Sequence, residues 1–225
     1  MQKETSDFIL RDLKKAYLTI AEEFDNTRKH DWNEFSNIIP YLKENVKIAD
    51  IGCGNGRFLS FLKKIDFLFK YTGIDNNEKF INICREKYKE KFIIGDHLDI
   101  PIETKSQDIV VSIASLHHIP SIKLKLKAIE ELNRILKQDG ILFLSVWNLF
   151  QKKYKKYIIK AFFRYIFSFG KYDARDTFIP WGKKKILRYY YAFKTKELEK
   201  MLKEKNFSII KKETGNNITF ICKKN

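Results

Sequence analysis

Cysteine is scarce in this chain: Cys53, Cys84 and Cys222 lie far apart, with no C-x-x-C pair and no histidine at ligand spacing. That spacing supports neither a disulfide framework nor a zinc site, so a reducing compartment and no metal are expected. Acids are short as well, 28 Asp and Glu against 44 Lys and Arg, for a formal net charge of +16. Such a surplus draws polyanions, nucleic acid or an anionic membrane, without choosing between them. Lys, Ile, Phe and Asn are used heavily throughout, so part of the charge reflects compositional bias. No uncharged run approaches the ~18 residues a spanning helix needs, and Met1 to Asp7 lacks the apolar core of a signal peptide. The expectation is a soluble, cytoplasmic protein without membrane association, with 44% hydrophobic residues, enough for one real core.

Glycine is also sparse, nine residues in 225, yet three of them fall within five positions. In I-A-D-I-G-C-G-N-G (Ile48 to Gly56) an apolar run carrying Asp50 meets Gly52, Gly54 and Gly56, which open into Arg57, Phe58 and Leu59, where a helix is expected to start. Glycines permit a tight strand-to-helix turn and let a ligand lie on bare backbone, while the helix N-terminus aims free N–H groups at it. The spacing is G-x-G-x-G, not the G-x-G-x-x-G of dinucleotide sites, and an acid two residues ahead of Gly52 repels a pyrophosphate. An NAD-linked oxidoreductase is therefore a distant reading.

From Val46 onward short apolar runs alternate with amphipathic stretches, the pattern of a parallel sheet with crossover helices. Strands are expected at Lys47 to Ile51, Tyr71 to Asp75, Phe92 to Gly95, Ile109 to Ile113 and Ile141 to Val146. Between them fall helices at Arg57 to Lys64, Glu78 to Lys89 and Lys123 to Leu136, the last ending before a turn at Gln138-Asp139-Gly140. The first strand then sits centrally, its C-terminal end at the topological switch point. Upstream, Ser6 caps a helix reaching about Glu23, and Trp32 to Leu42 reads as a second helix disturbed by Pro40. A helix from Lys196 to Lys205 and strands at Phe207 to Lys211 and Asn217 to Cys222 close the chain as an antiparallel edge. Four segments result: a helical 1–45, a cofactor-binding core 46–148, a basic aromatic 149–193 and a sheet-completing 194–225.

Two further acids end strands, Asp75 in G-I-D and Asp96 in G-D-H-L. A carboxylate after the second strand can accept from both ribose hydroxyls, and one after the third from an exocyclic amine. Together with Asp50 they describe a phosphate-free nucleoside bearing positive charge, for which S-adenosyl-L-methionine is the obvious candidate. Asp50 to Gly56, Asp75, Asp96 and the Asp108 to Ile113 strand resemble class I S-adenosylmethionine-dependent methyltransferases, across Val46 to Trp147. The resemblance implies an α/β, Rossmann-like fold: a seven-stranded, mostly parallel sheet with an antiparallel terminal edge and an N-terminal helical extension. Cofactor-binding positions are then Asp50, Gly52, Cys53, Gly54, Asn55, Gly56, Asp75, Asn76, Asp96, His97, Ile113 and Ala114.

Other stretches narrow the likeness. Ile113 to Ile119 (I-A-S-L-H-H-I), Ser145 to Trp147, Asp176 to Trp181 (D-T-F-I-P-W), Arg188 to Phe193 (R-Y-Y-Y-A-F) and Tyr17 to Trp32 resemble the tRNA wobble-uridine carboxymethyl methyltransferases. Tyr191 departs from that family, which usually has His there. The likeness implies esterification of the carboxylate of 5-carboxymethyluridine in the anticodon loop of tRNA. It also implies a small zinc-containing activator protein pairing along the sheet edge, where Phe92 to Ile94 would be the outer strand. An ionised carboxylate needs positioning and no general base. A bidentate Arg suits that task, so Arg28 and Arg188 are expected to hold it, Tyr17 and Tyr189 to shape the pocket, and His118 to contact substrate or cofactor. His117 faces the cofactor mouth, and Trp147 and Trp181 suit stacking on a splayed base as much as core packing.

Leu149 to Phe193 holds 12 Lys or Arg against two Asp, and 15 of its 45 residues are aromatic. Its helical stretch, Gln151 to Phe169, carries an apolar stripe at Tyr154, Ile158, Phe162, Tyr165 and Phe169, expected to pack on the sheet while the basic face meets RNA; lying on an anionic membrane is the less favoured reading. A methyltransferase for a small molecule or another RNA, and a non-catalytic RNA-binding protein retaining the fold, remain the alternatives.

Overall fold

A computed structural model describes residues 1–225. The chain opens with α1, Lys3–Thr27, which buries Ile9, Leu13, Ala16 and Ile20 along one stripe. Ser6 does not cap it: the helix begins three residues earlier and the Ser6 hydroxyl donates to the Gln2 carbonyl inside the first turn. The expected second helix is a 3-10 stretch, Asn33–Tyr41. Pro40, which offers no N–H to an α-helical ladder, lies within it, and Phe35 and Ile38 are its buried anchors.

Five parallel strands follow: β1 (Val46–Ile51), β2 (Phe69–Asp75), β3 (Lys91–Ile94), β4 (Gln107–Ile113) and β5 (Leu136–Trp147). The helices between them are α2 (Arg57–Leu62), α3 (Glu78–Lys87) and α4 (Ile122–Ile135). β5 starts earlier than expected, absorbing the Gln138-Asp139-Gly140 turn as an irregularity with Asp139 at φ 62 and a register shift opposite β4. Next come α5 (Lys155–Phe167), a two-stranded hairpin of β6 (Asp176–Trp181) and β7 (Ile186–Tyr191), α6 (Thr195–Glu204), and the strands β8 (Phe207–Thr214) and β9 (Asn217–Lys224).

The main sheet runs β3-β2-β1-β4-β5-β9-β8. β9 is antiparallel to both β5 and β8, which gives the mostly parallel sheet its antiparallel end, and β3 is the opposite outer strand. This is the Rossmann-like arrangement, with β1 at the point where the order reverses. One core lies between the sheet and α1, α4 and α6; a second joins the sheet to α2, α3 and the 3-10 stretch. Apolar residues of a strand alternate between them, Ile48 to one core and Ala49 to the other.

The β6–β7 hairpin is the element that sequence pattern does not resolve. It packs against α1 and the 116–118 turn, not as a further strand of the main sheet. Alternation along β7 sends Arg188 and Tyr190 to one side and Tyr189 and Tyr191 to the other. The α5 stripe also departs from expectation: Ala161 is fully buried, whereas Phe162 is 52% exposed and Phe169 93%.

Candidate functional site

A cleft opens at the C-terminal ends of β1, β2 and β4. Asp50, Gly52, Cys53, Gly54, Asn55, Asp75, Asn76, Asp96, His97, Ile113, Ala114 and His118 all line it, as do Tyr17 and Phe24 of α1 and Phe80 of α3. Gly52, Gly54 and Gly56 have φ of 77°, 54° and 77°, a left-handed run only glycine adopts without strain. A Cβ on Gly52 would meet the Ser115 Cβ at 2.5 Å, and one on Gly56 the Tyr88 ring at 2.7 Å, whereas one on Gly54 would meet only the edge of the Phe24 ring, at 4.0 Å. Gly56 thus packs against Tyr88 beyond α3, outside the cleft wall. Ala114 is held at φ 51, a non-glycine residue in the left-handed region, with its N–H bonded to the Ser145 carbonyl at 2.8 Å.

The acids are organised by their own hydrogen bonds. Asp75 accepts from the Gly54 N–H and the Asn77 N–H, each at 2.9 Å, so it ties the glycine turn to α3. Asp96 accepts from the Leu98 N–H at 2.8 Å and the Asn76 amide at 3.2 Å. Asp50 is buried, with one hydrogen bond from the Tyr71 hydroxyl at 2.7 Å. Asn55 donates to Asp25 and to the Arg28 carbonyl, fastening the end of α1 to the turn. His97 meets the Ser115 hydroxyl at 3.1 Å, and burial lowers its pKa.

Burial raises the Asp50 carboxyl to about 7, against the lowering effect of the Tyr71 hydroxyl. It raises Asp75 to about 6, against its two backbone N–H donors. Both lie above the unfolded value near 3.8. The folded protein therefore binds more protons between about pH 4 and 7, and its stability falls as pH rises through that window. A cationic ligand needs the ionised carboxylates. Its affinity is expected to weaken by more than about tenfold from pH 7.5 to 5.5, with protons released on binding near pH 6.5. Calorimetry in buffers of different ionisation enthalpy measures both, and a flat affinity would remove the role given to Asp50.

Beside the cleft lies a packed aromatic cluster. Its centre is Arg188, 2% exposed, with its guanidinium carbon 5.3 to 5.9 Å from the ring centres of Tyr17, Trp147, Trp181 and Tyr190. Arg188 donates to the Tyr17 hydroxyl at 3.1 Å, and its Nε–H has no partner. Arg28 approaches the same Trp181 ring, 6.0 Å away, so the ends of α1 and β7 bring the two arginines to one indole. His118 Nδ1 donates to the Tyr189 carbonyl at 2.7 Å, which leaves Nε2 to accept from the Tyr17 hydroxyl, also at 2.7 Å. Burial, with Arg188 nearby, lowers the His118 pKa to about 3, so the ring stays neutral. His117 accepts the Trp147 N–H on Nδ1, which leaves an Nε2–H donor without a partner; the Tyr190 hydroxyl is unpartnered as well. The unsatisfied atoms around Arg188 can all donate, a composition suited to an anion.

Tyr189 is corrected by the same register. Its hydroxyl donates to Asp176 at 2.6 Å on the far side of the hairpin, away from the cleft, because a one-residue step on a strand reverses the face. Tyr190 takes the place expected for Tyr189, packed at 4.6 Å from the His118 ring and stacked on Trp147. Tyr191 also faces away: its hydroxyl donates to Glu197 at 2.7 Å and Lys125 Nζ lies 3.3 Å from its ring centre. Tyr189→Phe is expected to cost about 1–2 kcal/mol of stability, since the buried Asp176 loses a donor, and to leave turnover unchanged. Tyr190→Phe should do the reverse; thermal melts and methyl-transfer rates separate the two.

Residues 49–144 match the methyltransferase domain family. An S-adenosylmethionine-dependent methyltransferase of Methanosarcina mazei has the same fold, with a TM-score of 0.70 and 24% identity over 84% of this chain and 96% of that one. So does a Haloferax volcanii methyltransferase solved with the Trm112 methyltransferase activator, with a TM-score of 0.67 and 14% identity over 95% and 96% of the two chains. The three acids and the bare glycine turn, with Gly54 in the cleft wall, fit an adenosyl cofactor with a cationic amino-acid tail. The domain match and the shared fold liken residues 49–144 to the methyltransferase domains, and the cleft's acids and glycine turn suit S-adenosyl-L-methionine. Within that class the chain is similar to the tRNA (carboxymethyluridine(34)-5-O)-methyltransferase of Xenopus tropicalis, 33% identical over 142 residues, 63% of this chain and 22% of that protein. A like enzyme of Arabidopsis thaliana is 32% identical over 64% of this chain and 35% of its own length, so the chain spans about a fifth to a third of these relatives.

Proposed function

We propose that this chain methylates a carboxylate, that of 5-carboxymethyluridine at the wobble position of tRNA. The observation that carries this reading is Arg188, a buried guanidinium without an acidic partner, hydrogen-bonded to the Tyr17 hydroxyl at the wall of the cofactor cleft. A charge taken out of water needs a counter-ion. Where the chain supplies none, a substrate carboxylate meets that need, and the Arg188 Nε–H, the Tyr190 hydroxyl and His117 Nε2–H are unpaired donors to receive it. The names of the relatives support the choice of acceptor.

When bound, S-adenosyl-L-methionine supplies a sulfonium methyl group, which an incoming oxygen lone pair can take as the carbon–sulfur bond breaks. Asp75 and Asp96 orient the nucleoside, and Asp50 balances positive charge at the other end. Tyr17, fixed between Arg188 and His118, stands between the cleft and the Arg188 cluster. Its role is to align the acceptor and exclude water. No residue has to accept a proton, because the carboxylate is already ionised, and the neutral His118 is suited to holding Tyr17. Trp147 and Trp181 flank Arg188 and are suited as platforms for an unstacked base.

The outer strand β3, with Ile94 49% exposed, is the edge we assign to a small activator protein. The test is methyl transfer to tRNA bearing 5-carboxymethyluridine, with the nucleosides resolved by mass spectrometry after incubation with the chain and its activator. The ester should appear at the wobble position. Methylation of a small carboxylic acid that survives RNase, with no tRNA product, would reassign the acceptor.

A further inference from the structure

The outward face of α5 is apolar, which is unusual for a surface helix. Its inner side is satisfied: Ala161 is fully buried, Tyr157 and Ile158 pack toward the hairpin, and Arg164 donates to the Asp176 carbonyl while stacking on Phe178. On the other side Ile159, Phe162, Phe163 and Ile166 are 46 to 54% exposed, and Phe167 and Phe169 reach 73% and 93%. Positions 159, 162, 163 and 166 follow the i, i+3, i+4, i+7 spacing of one helical stripe. Phe169, at φ 49, and Gly170 turn the chain just past the helix end, so the most exposed rings form a tip.

Charge is distributed in step with this. Residues 149–172 carry seven Lys or Arg and no acid. Lys152, Lys153, Lys155, Lys156 and Lys160 gather at the start of the helix, while the rings gather toward its end. Bases stack on isolated aromatic platforms, and two aliphatic isoleucines in a continuous stripe serve that purpose poorly. A basic flank beside a Phe and Ile face is instead the composition of a helix lying in a lipid interface. No helix of the chain is long and apolar enough to cross a membrane.

We propose that α5 and its Phe167–Phe169 tip bind the surface of an anionic lipid bilayer, with the rings at the acyl boundary and the lysines over the headgroups. The surface is separate from the cofactor cleft and does not depend on the identity of the methyl acceptor.

The test is co-sedimentation of the whole chain with vesicles of phosphatidylcholine alone and with about 30% phosphatidylserine. Binding should be at least tenfold stronger on the anionic vesicles and fall with salt. The triple variant Phe163→Ser, Phe167→Ser, Phe169→Ser should lower it at least tenfold while keeping the far-UV spectrum and S-adenosylmethionine affinity, because none of these side chains touches the core. Lys155→Gln with Lys156→Gln should lower binding to anionic vesicles only. Equal binding to both vesicles, or none, overturns the proposal. If the triple variant loses tRNA affinity and not vesicle binding, the face belongs to RNA; if it turns a dimer into a monomer in gel filtration without changing vesicle binding, the face meets a second copy of the chain.

Discussion

Replacing Arg188 by methionine is expected to abolish methyl transfer and, at the same time, to make the free protein more stable. The side chain is buried, makes one hydrogen bond through its guanidinium and leaves Nε unpaired. Holding a charge there without a counter-ion costs more than its contacts with four rings return, whereas an apolar chain of similar length keeps the packing. A gain of about 1–2 kcal/mol, or ~2–8 °C in Tm for a chain of this size, is expected. Two charge-assisted hydrogen bonds to the acceptor are lost, each worth about 1.5–3 kcal/mol, so kcat/KM should fall ~10²- to 10⁴-fold. Affinity for S-adenosylmethionine, read by calorimetry, should stay within about threefold. A destabilised but active variant would show that Arg188 is a structural residue and would remove the central support for a carboxylate acceptor.

The second large effect is on the cofactor. Asp75→Ala removes the carboxylate proposed to accept from the ribose and also the acceptor of the Gly54 and Asn77 N–H groups. Two charged hydrogen bonds lost to the ligand predict a rise in Kd of ~10²- to 10⁴-fold. Asp99→Ala, an exposed acid close in sequence to Asp96, should change it less than about twofold. Asp75→Asn should fall between them, since the amide can accept one hydrogen bond but carries no charge. A Kd for Asp75→Ala within about threefold of the parent would mean the nucleoside is oriented elsewhere in the cleft.

Much of the cofactor cleft is legible in the amino-acid sequence. Strand-ending acids and a glycine turn are local features: their order along the chain carries over into space, because β1, β2 and the turns after them are adjacent. What the sequence does not reveal is where the long segment after Trp147 goes. D-T-F-I-P-W and R-Y-Y-Y-A-F are each visible as strings, but that they pair antiparallel, Phe178 opposite Tyr189 and Ile179 opposite Arg188, depends on a turn of Gly182 and three lysines with no strong signature. Three successive tyrosines give no alternation of polarity from which to choose a face, so sequence pattern cannot separate Tyr189 from Tyr190. The α5 stripe eludes it for a related reason. Helical periodicity identifies an apolar face but not its partner, and here Tyr157, Ile158 and Ala161 take the core while Phe162 and Phe163 do not.

By itself, the sequence determined the class: an alternating α/β chain whose Asp50, Gly52, Gly54, Asp75 and Asp96 are spaced to suit a phosphate-free nucleoside. These residues depend only on strand order and turn chemistry, both written in local pattern. The tertiary structure alone decided that Arg28 from α1 and Arg188 from β7 meet at Trp181, 160 positions apart along the chain, and that no acid of the chain meets Arg188. Such an encounter is a property of packing, which sequence separation does not encode, and the Arg188 cluster beside the cleft exists only because of it.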